Sequence, residues 1–389
     1  MIGSRSAAAA AGAIGLCLLP SELIHEILLR LPLPELLRLK SVSKALSAVI
    51  SADDFRRECN SRSLSDTWLF VYKKRSPRDS GLHGFSDRSG RWFKISSVAG
   101  LLAPGEDLFL LAASGDFFLF ASNNRGDLIA FNLTLRTAKK LPHSPLGPRG
   151  TSSWRRSGLK LISGPAGSDR FRFLFAELHE NRPVLLEYFS ESDSWRCVEA
   201  RDTQPSRTRG VFLSVVHRRN DSVLLAAADD DDEPVIVRPR FNAAAMDDLA
   251  IGFSSGGRIK RLHVFGDGYV AVVRSESVSG CGGSEKGRVM TWIEVQGLSV
   301  DGRSWEFVSS APSGLIPKKA YVAMTGCIEE RDGVVRVVLM MSNWEGLWEI
   351  VWLSFDLVMK VWKWVPLPEC WMKGSNMAGM TLSSGLTLR

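Results

Sequence analysis

Two hydrophobic rhythms divide this chain, and the change between them falls near residue 60. Before it, Leu19, Leu23, Ile27, Leu28 and Leu31 recur at helical spacing behind Pro20-Ser21. Proline loses nothing at a helix entry, and Ser21 is placed to accept an orphan amide. Pro32-Leu33-Pro34 ends that helix, because Pro34 disfavours the α conformation at Leu33 and cannot donate a hydrogen bond. Glu35–Lys40, with Leu36, Leu37 and Leu39, predicts a short second helix. Ser43 is the expected N-cap of a third, lined by Leu46, Val49 and Ile50. Three short helices bury too little surface to stand alone. They also carry more Leu, Ile and Val than they can hide among themselves. The surplus is covered either by another protein or by the rest of the same chain, and periodicity does not separate the two.

After Asn60 the helical spacing disappears. Leu69–Lys73, Asp116–Ala121, Phe171–Leu178, Val184–Phe189, Val270–Arg274, Val334–Met340 and Glu349–Phe355 read as strands between Gly, Ser, Asp and Asn. A unit recurs among them. Phe85–Trp92, Tyr188–Trp195, Leu298–Trp305 and Phe355–Trp362 each set an aromatic residue or leucine seven positions before a tryptophan, across a polar middle. Phe131–Ala138 and Phe241–Asp248 are weaker copies, and successive copies start 46 to 57 residues apart. A tight hairpin makes the two ends of such an octet cross-strand neighbours, a pairing that contributes up to about 1 kcal/mol. Each interval holds four strand-like stretches. Leu159–Ser163, Phe171–Leu178, Val184–Phe189 and Trp195–Glu199 fill one; Leu262–Phe265, Val270–Arg274, Met290–Val295 and Trp305–Val308 fill another. Four strands per repeat of this length is the pattern of a propeller blade. The first unit, Trp68–Ile95, is short of one strand, and Met377–Leu382 offers a spare. Joining them would close a ring of six blades. A pair of β-sandwiches is the other fold in play, but it has no reason to repeat at this interval.

The helical segment resembles the F-box. The matches are Leu19-Pro20, Glu26-Ile27-Leu28, Arg30-Leu31-Pro32, Leu36-Leu37-Arg38, Val42-Ser43-Lys44 and Val49-Ile50, in the family's order and spacing. Leu46 stands where the family usually has Trp, and Ser43 where Cys is frequent. The resemblance implies binding of a Skp1-like adaptor and, through it, a cullin-based ubiquitin ligase. The implied adaptor-binding residues are Leu19, Pro20, Leu23, Ile27, Leu28, Leu31, Pro32, Leu36, Leu37, Val42, Leu46, Val49 and Ile50. The aromatic-to-Trp octets likewise resemble the kelch-type propellers of plant F-box proteins, although the usual Gly-Gly doublet is missing from most units.

Composition changes this picture little. Of 389 residues, 45% are hydrophobic and 23% charged, which describes a folded chain with room for a small module and one large domain. The net charge of +7 is scattered as doublets such as Lys73-Lys74 and Lys318-Lys319, which argues against a nucleic-acid surface. Six cysteines without CxxC spacing or paired histidines argue against zinc and against a disulfide framework. Residues 1–17 read as a disordered Ala-rich tail rather than a signal peptide. No uncharged stretch reaches membrane-spanning length, Leu108–Phe120 being interrupted by Asp116. The expected location is the cytoplasm, the nucleus or both.

No catalytic constellation emerges, and no cofactor is expected. The six histidines are dispersed, with His25 expected on the surface of the first helix. Asp229–Glu233 reads as a solvated acidic loop because it lacks alternating ligands and a turn glycine. Trp344, Trp348, Trp352, Trp362, Trp364 and Trp371 crowd the last repeat and are assigned mostly to core. Trp154 with Arg155-Arg156 is a candidate target-binding site, because an exposed Trp-Arg pair has the composition of a hot spot; the other reading tucks Trp154 onto the rim. The chain is therefore expected to be multi-domain, α followed by all-β. A three-helix F-box would occupy residues 18–60 and a six-bladed kelch-like propeller residues 61–389. Its role would be that of a non-enzymatic ligase receptor for a target protein. A protein-binding scaffold outside any ligase, or a propeller enzyme, are the alternatives.

Overall fold

The computed structural model describes residues 19–63, 66–74, 81–95, 107–123, 125–154, 158–165, 168–202, 211–216, 222–227, 233–241, 249–255, 260–279, 285–368, 376–384 and 386–388. The chain forms two units. One comprises Met1–Asp66 together with Ser384–Arg389, the other Thr67–Ser383.

The first unit is helical: α1 (Ser21–Leu29), α2 (Leu33–Val42), α3 (Lys44–Ser51) and α4 (Asp53–Ser63). Pro20 occupies the N-cap of α1 with extended ψ. The Ser21 hydroxyl turns to the Glu22 carboxylate instead of capping the helix. Pro34 lies inside the first turn of α2, where its missing N–H costs nothing. That turn therefore takes in Leu33, two residues before the expected start. Ser43 caps α3 as expected, accepting from the Leu46 amide at 3.5 Å.

The expected count of three helices is one short. Ala52 is extended (ψ 141°) and breaks the chain after α3. Asp53 and Asp54 then suit the positive end of a new helix, which buries Phe55 and Cys59, four residues apart, on one face.

The second unit is built of antiparallel sheets, six among the described residues. Sheet I has the order Asn376–Ser384, Thr67–Lys74, Gly81–Ser86, Arg91–Ile95. The late strand thus completes the first repeat, where the sequence left a place for it. Sheet II (Leu108–Ser114, Phe117–Ser122, Leu128–Asn132, Thr137–Lys140) and sheet III (Leu159–Ser163, Phe171–His179, Arg182–Phe189, Ser194–Glu199) are plain four-stranded meanders. Sheet IV contributes Val211–Val216, Ser222–Ala227 and Val235–Val237. Sheet V is centred on Arg261–Gly266, Tyr269–Ser279, Glu285–Leu298 and Trp305–Ser310. Sheet VI is centred on Ala323–Arg331, Val334–Ser342, Trp348–Asp356 and Val361–Trp364. Two short strands stitch these last sheets: Leu249–Ile251 runs parallel to sheet V, and Phe253–Ser255 antiparallel to sheet VI.

The octets do what their spacing requires. Phe85 faces Trp92, Phe131 faces Ala138, Tyr188 faces Trp195, Leu298 faces Trp305 and Phe355 faces Trp362, each across one hairpin. The rings of Phe85–Trp92, Tyr188–Trp195 and Phe355–Trp362 sit 5.1–5.3 Å apart. The octet at Phe241 runs outside the described residues after its first position.

Packing follows the numbering of the sheets. Phe70 and Tyr72 of sheet I meet Phe118 and Phe120 of sheet II edge-on at 4.7 and 5.2 Å. Sheets II and III share a core around Phe117, Leu119, Phe171 and Tyr188, and III and IV one around Leu174, Leu185 and Leu225. Sheets IV and V meet at Leu224, Val270 and Trp305; V and VI at Val264, Val273, Val335 and Leu353. Sheet VI then packs on sheet I through Trp352, Val338, Leu69 and Phe85. Leu69 and Val71 therefore point to one neighbour while Phe70 and Tyr72 point to the other. A strand covered on both faces has no reason to alternate apolar with polar residues, which explains the unbroken run Trp68–Tyr72.

Candidate functional site

The thirteen residues that the F-box resemblance marks for adaptor binding separate into an inner and an outer set. Leu28 and Leu36 are buried, as are Leu29, Leu33 and Phe55. Ile50 is fully buried as well. Leu28, Leu36 and Ile50 are thus core positions in this structure, not exposed ones. Leu19, Leu31, Pro32, Leu37, Leu46 and Val49 are half-buried, and Pro20 is exposed. Leu23 remains 51% exposed, Ile27 48% and Val42 75%. Leu23 and Ile27 are one helical turn apart and share a stripe of α1. That helix is thus apolar on two faces: Leu28 and Leu29 point inward, Leu23 and Ile27 to solvent. The leftover apolar surface argued from the sequence is present at Pro20, Leu23, Ile27 and Val42.

Charge borders this stripe without filling it. Arg62 of α4 pairs with Glu58 at 2.7 Å and reaches Glu26 of α1 at 3.8 Å. His25 is half-buried rather than on the surface; its ring meets Phe55 edge-on at 5.1 Å and Nδ1 lies 4.0 Å from Glu58. Exposed ion pairs of this kind contribute under about 1 kcal/mol each. The arrangement is an exposed apolar stripe on α1 with charged residues at its border. Sequence reasoning missed α4, whose only signal was Phe55 and Cys59 at i, i+4 after two aspartates.

The candidate at Trp154 is corrected. Trp154 ends the short helix α5 (Thr151–Trp154) and is 1% exposed. It packs against Phe173 and Phe175 at 5.9 and 4.8 Å, under the Arg149 guanidinium at 4.7 Å. Arg149 in turn pairs with Glu177. An apolar ring with a phenylalanine shelf available is drawn inward, whatever the loop composition around it. Arg155 and Arg156 lie outside the described residues, as do Asp229–Asp232 and Trp371. Of the late tryptophans among the described residues, only Trp352 is fully buried. Trp348 and Trp362 are half-buried and pack against the inter-sheet cores, whereas Trp344 and Trp364 are exposed.

Among the described residues, no group of three or more His, Cys, Asp and Glu side chains is placed to hold a metal, and no helix is long and apolar enough to cross a membrane. Titratable groups inside the sheets are shifted by burial. His263 is driven down to about 4 by desolvation, with Arg261 and Arg274 adding repulsion. Cys327 is pushed up to about 12 by burial, with Glu329 nearby. Burial likewise raises the Glu329 carboxyl, while Lys160, itself paired with Asp267, opposes the rise.

Residues 16–58 match the family model of the F-box domain. The chain carries an F-box. F-box domains generally bind Skp1-type adaptors, and the proteins that carry them are generally non-catalytic subunits. No curated protein matches the chain. Among solved structures, it resembles one in the nidogen/laminin complex at 10% identity, over 83% of this chain and all of that one, with a TM-score of 0.42. It also resembles a putative TolB from Agrobacterium tumefaciens at 10% identity, over 77% and 88% of the two chains, TM-score 0.39. A GH74 xyloglucanase from Xanthomonas campestris aligns at 16% identity over 70% and 40%, TM-score 0.36. Likeness at these scores says nothing further about this chain.

Proposed function

We propose that this protein is the substrate-recognition subunit of an SCF-type ubiquitin ligase. The F-box, residues 18–60, docks a Skp1-like adaptor through Pro20, Leu23, Ile27 and Val42, and the adaptor joins it to a cullin. The sheets, within residues 61–389, form a six-bladed kelch-like propeller that presents loops to a target protein. The observation that carries the reading is the apolar stripe of α1, left half in solvent on a domain whose family docks helices onto an adaptor. Support for the propeller is the cyclic packing of six sheets and the strand that joins the last segment of chain to the first repeat. The work is proximity: target and transfer machinery are held together, and this chain forms no covalent intermediate. The setting is cytoplasmic or nuclear, and no cofactor takes part.

Affinity capture of the full chain from cells tests this. Skp1-type adaptor and cullin should co-purify with it. Adaptor without cullin would leave a binding scaffold outside the ligase, and Leu46 in place of the usual tryptophan is the feature that favours that second reading. Neither partner would overturn the docking claim itself.

A further inference from the structure

The helical unit contains a piece of chain from the far end of the sequence. Ser384–Arg389 clusters with Met1–Asp66 rather than with the sheets. Within it, Leu386, Thr387 and Leu388 are all buried. The link to the helices is specific. The Asn60 side-chain amide donates to the Leu388 carbonyl at 3.2 Å, and its carbonyl oxygen accepts from the Leu388 amide at 2.7 Å, across 328 residues of sequence. A carboxamide offers one donor and one acceptor side by side, as a neighbouring β-strand does. Asn60 thus satisfies both polar groups of a backbone position that water does not reach, which an apolar or charged residue there could not do.

We propose that Leu386–Leu388 is a strap that completes the helical unit, with Asn60 as its latch. The F-box of this protein is then a discontinuous module. Its helices are made first and finished last, when residue 388 arrives after all the sheets. The strap goes beyond the adaptor reading and stands whether or not an adaptor binds. Neither the helical periodicity nor the F-box match, which stops at residue 58, contains it.

Hydrogen exchange followed by mass spectrometry on the full-length protein tests the strap. Two variants are compared with the parent: Leu386→Ser with Leu388→Ser, which removes the apolar grip, and Asn60→Ala, which removes only the latch. In both, amides of α1–α4 should exchange about tenfold faster or more, while sheets II and III keep the parent rate. Unchanged exchange in α1–α4 for both variants would overturn the strap. Equal acceleration in sheets II and III would also overturn it, because the segment would then support the whole chain rather than the helical unit. Should the double variant fail to fold, Asn60→Ala, which leaves every apolar contact of the strap in place, decides the matter.

Discussion

Trp305 and Phe307 lie two positions apart on one strand and should behave as opposites. Trp305 is 6% exposed, stacks on Phe241 at 5.8 Å, touches Phe265 at 5.7 Å and faces Leu298 across the hairpin. Truncating a buried tryptophan to alanine costs about 3–5 kcal/mol in lost burial and cavity. Part is returned, because the Trp305 indole nitrogen is buried without a hydrogen-bond partner, and relief of such a group is worth about 1–3 kcal/mol. The net expectation for Trp305→Ala is a loss of about 2 kcal/mol. Phe307 is 64% exposed, so only a third of the roughly 1.5–3 kcal/mol for a fully buried side chain is at stake. Phe307→Ala should therefore cost about 1 kcal/mol or less. Urea denaturation followed by far-UV circular dichroism reads both. Equal midpoint shifts for the two variants would refute the assignment of the octet tryptophans to the inter-sheet core.

Three further outcomes follow from single positions. His263 stays neutral when folded, with a pKa of about 4 against 6.5 in the unfolded chain; its contribution is complete above pH 6.5 and is lost as pH falls toward 4, by about 3 kcal/mol. His263→Leu should flatten that limb of the stability–pH curve, and an unchanged slope would contradict the burial. Gly379 has φ +112°, and a Cβ there would collide with the Leu110 carbonyl oxygen. Gly379→Ala should destabilise the fold by more than the roughly 1 kcal/mol of an ordinary glycine replacement, read as a lowered melting temperature; a stabilised variant would contradict the close approach of the closing strand to sheet II. Leu36→Asp places a charge at a fully buried site, so it should melt α1–α4 rather than merely block docking; retained helical exchange protection would count against this.

The β-unit was legible because its information is local. An aromatic residue and a tryptophan seven apart fix hairpin register by themselves; three such pairs, together with Leu298–Trp305 and Phe131–Ala138, are cross-strand neighbours in the structure. The spare strand at 377–382 could be assigned because the first repeat lacked one. The helical unit was harder to read. Ile27 and Leu28 are adjacent in sequence and lie about 100° apart on α1, so the same apolar run supplies both core and surface, and composition does not sort them. α4 is polar except for Phe55 and Cys59, too few positions to set a period. Trp154 stayed open between an exposed and a tucked reading because its loop is polar, while the shelf that buries it, Phe173 and Phe175, arrives from a different segment. The strap at Leu386–Leu388 has no local signature, since its partner is 328 residues away.

The most direct test of the docking claim is calorimetric titration of a purified Skp1-type adaptor into the full chain and into Leu23→Asp/Ile27→Asp. Each of these side chains is half exposed, so it still offers about 1 kcal/mol of burial to a partner. A carboxylate in its place adds a desolvation cost, for a combined loss of affinity of about 100-fold or more. The account predicts saturable binding by the parent chain and its loss in the variant, with the helical circular dichroism of the two superimposable. Equal affinity of parent and variant would contradict it.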